Sequence, residues 1–268
     1  MNSDKPIIWG AAAAVVALGA GLYWYGHRGQ PPQQPEAAPA LVAASQPEPV
    51  AASAPAPIEH PVPPGPDSAP MPSAVDQSDA ALLTALTALP DSAAVLKQLL
   101  PQNIVRHIVA AVDNLPRKRF ALNLWPFHTT PGAFMASDVD GEFAISTDNY
   151  VRYRPFVDMV KNTDAQQLAT LYFHFYPLFQ TAFDDLGYAD GYFNDHVVGL
   201  IDHLLATPVP ASPPALVQPN VMYLYADPAL EALSAGQKTL IRMGPANEAA
   251  LQGKLRELKA ALLAHEHH

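Results

Sequence analysis

The sequence predicts a mainly α protein: one helical domain with a small β-hairpin element, preceded by a single transmembrane helix and a disordered proline-rich linker. Three observations lead there. Residues 7–25 are uncharged and almost entirely apolar, residues 26–78 are dense in proline with Arg28 as their only Lys or Arg, and from Ser78 onward apolar residues recur at helical spacing between prolines, glycines and capping residues.

An apolar helix over residues 7–25, rising ~1.5 Å per residue, is roughly 28 Å long and matches the hydrocarbon core of a bilayer. Trp9 stands at one end and Tyr23, Trp24 and Tyr25 at the other, where interfacial aromatic belts form. Ala17, Gly19 and Ala20 suit a signal peptidase, but the aromatic cluster behind them favours retention. Residues 1–6 are expected in the cytoplasm, because a long segment without Lys or Arg after the helix marks the exported side. The expected location is therefore the bacterial inner membrane, single-pass, with the C-terminal domain in the periplasm and the bilayer as partner of the N-terminal helix.

Residues 26–78 consist mainly of Pro, Ala, Gln, Val and Ser and bury too little apolar surface to fold. Extended at ~3.1 Å per residue, about fifty residues reach ~150 Å at the limit and roughly 40 Å as a loose coil. Pro32 to Pro35 and Pro61 to Pro64 have the spacing of polyproline ligands but lack a flanking basic residue, so the segment reads as a spacer.

Residues 79–264 are expected to form one helical domain, with 265–268 as a frayed tail. Ser78 and Asp79 open a helix that places Leu82, Leu83, Leu86 and Leu89 on one side. Pro90 and Asp91 start a second, and Pro101 takes the first turn of a third that reaches Leu115. Between Phe134 and Ile145 short apolar segments flank Asp140 and Gly141, a pair suited to a tight hairpin turn. Helices are expected again over Tyr153 to Asn162, from Thr163 or Asp164 to Leu186, and from about Tyr192 to Ala206. Pro177 should kink or divide the second of these, and its many aromatic residues suit a core. A proline-rich connection from Pro208 to Pro219, the apolar Val221 to Tyr225 stretch, and two or three final helices complete the chain.

The whole chain carries a formal charge of −10, and from residue 79 on there are thirteen Lys and Arg against nineteen Asp and Glu. Nucleic acid is accordingly not an expected partner. The absence of cysteine excludes disulfides, a thiol nucleophile and thiolate metal sites. His196 and His203 lie two turns apart with Gly199 and Leu200 between them, and neither His107 nor His174 has a ligand one turn away. Asp138, Asp140, Gly141 and Glu142 resemble part of a calcium loop, but that register needs acidic residues where Ala136 and Thr147 stand. Nucleophile-elbow, phosphate-loop and dinucleotide motifs are absent, and neither metal nor cofactor is expected.

One constellation stands out near the C-terminus. Lys238 and Arg242 are one helical turn apart, Gly244 can end their helix, and Asn247 can cap the next, leaving backbone N–H groups nearby. With Arg152 and Arg154 they form the candidate anion site; the competing reading makes Asp227 and Glu231 the internal partners of Lys238 and Arg242.

Asp227-Pro228-Ala229-Leu230-Glu231, Gln237-Lys238 and Arg242-Met243-Gly244-Pro245-Ala246-Asn247, together with Tyr150 to Pro155, Tyr176-Pro177-Leu178 and Leu186-Gly187, resemble the proteobacterial family called domain of unknown function 3014. The resemblance covers most of Asp79 to Leu263 and implies an envelope-anchored bacterial protein without supplying an activity or site residues. The expected function is a tethered periplasmic domain that binds a protein, cell-wall or other envelope component. The alternative is an envelope hydrolase or transferase acting on an anionic substrate held by Lys238 and Arg242 with Arg152 or Arg154.

Overall fold

Leucines at helical spacing begin the fold: Ser78–Thr87 forms α1 and buries Leu82 and Leu86. Ala93–Gln98 and Ile104–Asn114 follow as α2 and α3. The computed structural model describes residues 57–63, 71–90 and 92–264. The anchor expected at 7–25, the residues before it, most of the linker and the tail 265–268 lie outside the described residues. Among the described residues, no helix is long and apolar enough to cross a membrane. Pro101 does not open α3. The helix starts at Ile104 after Asn103, whose left-handed backbone (φ 53°) turns the chain into it. Asp79 caps this helix from α1, its carboxylate accepting the N–H of Asn103 at 2.7 Å and of Ile104 at 2.9 Å.

Ala136–Val139 (β1) and Glu142–Ile145 (β2) pair antiparallel, and Val139 opposite Glu142 leaves Asp140 and Gly141 as the turn. Both turn residues have positive φ, 55° and 83°, as a two-residue hairpin of this hand requires. The sheet extends further than the sequence suggests. Ala215–Val217 (β3) pairs with β2, and Leu224–Tyr225 (β4) pairs with β3, giving the antiparallel order β1-β2-β3-β4. Strands of three and two residues are too short to display alternation, which hides them in sequence. Ile145, Leu216 and Tyr225 meet Ile241 in a small core of their own.

Asp148–Asn162 (α4) begins five residues earlier than its periodicity indicates and contains Pro155. Pro155 and Val151 are both exposed, so the Val151 carbonyl that loses its N–H partner faces water. Ala165–Asp185 (α5) continues through Pro177 as one helix and is not divided. Its aromatic residues do fill the core: Phe179 and Phe183 are fully buried and pack against Phe193, the first residue of Phe193–Leu205 (α6). Three helices close the described chain, Pro228–Glu231 (α7), Ala235–Met243 (α8) and Pro245–Leu263 (α9). Leu251, Leu255, Leu258 and Leu262 of α9 are buried, and this helix packs against α4, α5, α6 and α8. Lys254 also ties it to the end of α4, its ammonium donating to the Thr163 carbonyl at 2.9 Å.

Candidate functional site

Ser234 starts α8 with a capping box, accepting the Gln237 N–H while the Gln237 side chain accepts the Ser234 N–H. This start places Lys238 and Arg242 one turn apart beside the small core. The Lys238 ammonium donates to Glu231 Oε1 at 2.9 Å and to the Glu231 carbonyl at 3.2 Å, and Glu231 Oε2 accepts the Tyr225 N–H. Asp227 takes no part in this pair; it caps α7 by accepting the Ala229 N–H. The Arg242 guanidinium lies 5.8 Å from the Phe134 ring centre and 5.6 Å from that of Tyr225, within cation–π range. Tyr225 links the two cations. Its hydroxyl donates to the Lys238 carbonyl at 3.1 Å, and burial pushes its pKa up to about 12 despite the opposing charge of Arg242.

Asn247 does not cap α9. Gly244 occupies that position with φ 88°, ending α8 and starting α9, and a Cβ there would lie 2.5 Å from the Tyr150 ring. Asn247 is the third residue of the helix, where its amide donates to the carbonyls of Tyr150 and Met243, both at 2.8 Å. Arg152 engages all five of its donors with the carbonyls of Pro131, Gly132 and Ala133 and with Asn149 Oδ1. Arg154 is exposed. Three of the five expected ligands, Lys238, Asn247 and Arg152, thus spend their donors inside the fold.

Next to these residues is a cleft of about 200 Å³ that the sequence did not reveal. The proline-rich segment Pro210–Pro214 forms one wall, Thr147 and Tyr150 of the α4 start another, and Ile241, Pro245 and Glu248 complete it. Glu248 is the only charged residue of the lining and is 0% exposed. Its Oε1 receives only a long contact from Gln252 Nε2 at 3.5 Å, and its Oε2 has no hydrogen-bond partner. Burial raises its carboxyl pKa to about 7. A carboxyl group half ionised near neutrality, in a lining without Lys, Arg or His, is suited to accept a hydrogen bond from an ammonium, guanidinium or amide group. In sequence Glu248 is an unremarkable acidic residue in the first turn of a helix, and the segments that surround it in the cleft are distant in the chain.

Residues 104–259, more than half of the chain, match the family model described as protein of unknown function (DUF3014). This span runs from α3 almost to the end of α9 and includes both the cationic residues and the cleft. No curated protein and no solved structure matches the chain.

Proposed function

The chain belongs to the DUF3014 family, and we propose that it is a binding module. A single-pass inner-membrane anchor and a tether present the helical domain in the periplasm, and the cleft at Glu248 receives a donor-bearing group of a protein or other envelope component. The observation that carries this reading is the buried carboxylate oxygen without a partner, because such an atom costs free energy until a donor reaches it. The hydrolase or transferase reading would use Lys238 and Arg242 with Arg152 or Arg154 to hold an anion, and Lys238 and Arg152 already donate within the fold.

Thermal denaturation of the full chain in detergent at pH 8 distinguishes the two. n-Butylammonium should raise the melting temperature of the wild type and leave Glu248→Gln unchanged. Stabilisation by phosphate that is lost in Arg242→Ala, with no response to the amine, would replace the binding module by the anion site.

A further inference from the structure

Seven residues of the proline-rich stretch, Pro57 to Pro63, lie against the start of α6. The contact is made through the main chain. Asp195 accepts the Glu59 N–H on Oδ2 at 3.1 Å and the His60 N–H on Oδ1 at 2.7 Å, so each carboxylate oxygen holds one donor. The His60 carbonyl accepts from Asn194 Nδ2 at 2.8 Å, and the Val62 N–H donates to the Tyr192 hydroxyl at 2.7 Å. Asn194 is fully buried, the Val62 side chain packs on the main core, and the Tyr192 ring leans on Tyr176 with centroids 5.4 Å apart.

The sequence of the strand suits this mode of contact. Pro57, Pro61 and Pro63 restrict the backbone on either side of the bend at Glu59 and His60, so less freedom is lost on docking, and they bring no N–H that would need a partner. The donors that Asp195 and Tyr192 require come from Glu59, His60 and Val62, the non-proline positions between them. Ile58 is 54% exposed and the Glu59 side chain is exposed, so the site reads backbone and proline placement more than side chains.

We propose that Tyr192, Asn194 and Asp195 form a recognition site for a proline-rich segment that bends at Glu59 and His60, and that its occupant is the protein's own segment 57–63. The consequence is a shorter working tether. The free spacer then ends near residue 56 instead of near residue 74, where the turn Val75–Gln77 joins the core, which removes ~55 Å of fully extended reach at ~3.1 Å per residue. Release of the strand restores that reach. The site is independent of the cleft at Glu248 and stands if the binding proposal fails.

A Glu-specific endoprotease acting on the full chain tests the site with an internal reference. Glu59-His60 lies in the docked strand, Glu36-Ala37 lies in the spacer upstream, and Glu48 precedes a proline and resists cleavage. Two charge-assisted hydrogen bonds should slow cutting at Glu59 by about tenfold or more relative to Glu36. Asp195→Ala should bring the two rates together. Val62→Pro, which removes one donor and the Val62 packing from the segment while keeping Tyr192, Asn194 and Asp195, should speed cutting at Glu59 and so decides the matter if Asp195→Ala fails to fold. Equal rates at Glu59 and Glu36 in the wild type, or protection that Val62→Pro does not alter, would overturn the proposal.

Discussion

Glu248 stores a cost that depends on pH. Its folded pKa of about 7 lies above the ordinary 4.5, so between those values the folded chain holds more protons than the unfolded chain. Stability from this group is therefore greatest below pH 4.5, falls as pH rises towards 7, and stays low above it. Glu248→Gln, which cannot ionise, should stabilise the domain by about 1–3 kcal/mol at pH 8 and by much less at pH 4.5, as read by urea denaturation at both values. The same scale explains what sequence could not reveal. Spacing placed Lys238 and Arg242 on one face, but their contacts with Glu231, Phe134 and Tyr225 depend on the sheet, which brings Tyr225 and Phe134 to α8. Arg242→Ala removes a half-buried cation lying against two rings and should cost about 1–2 kcal/mol without unfolding the domain. A loss near zero would mean that the rings do not hold it.

Turns and joints set the geometry of the cleft. Gly244 separates α8 from α9 with a backbone conformation that side-chain-bearing residues avoid, and its Cβ position is taken by the Tyr150 ring. Gly244→Ala should destabilise by more than about 1 kcal/mol, because conformational strain and displacement of Tyr150 add, and it should weaken amine binding in the cleft. Arg152 gathers the carbonyls of residues 131–133, so Arg152→Ala should speed hydrogen exchange in that loop and leave α9 protected. Legibility varied with element length. The long helices and the Asp140-Gly141 hairpin follow from periodicity and turn chemistry, whereas β3 depends on the edge of β2 and β4 on the edge of β3. Pro155 lies inside α4, and a helix tolerates proline where the abandoned carbonyl faces water.

For the whole molecule, the mainly helical architecture was legible because α5, α6 and α9 carry long apolar stripes that can only be buried against one another. The cleft was not legible, because it forms where a proline-rich connection crosses two helix ends distant in sequence. In the proposed account the anchor and tether bring this cleft to an envelope partner, and Glu248 meets that partner's donor. Calorimetric titration of the full chain with n-butylammonium at pH 7, in two buffers of different ionisation enthalpy, tests this most directly. With Glu248 half protonated, binding of a cation should expel about half a proton per site, and Glu248→Gln should abolish the release. Binding without proton release, or identical binding by Glu248→Gln, would contradict the account.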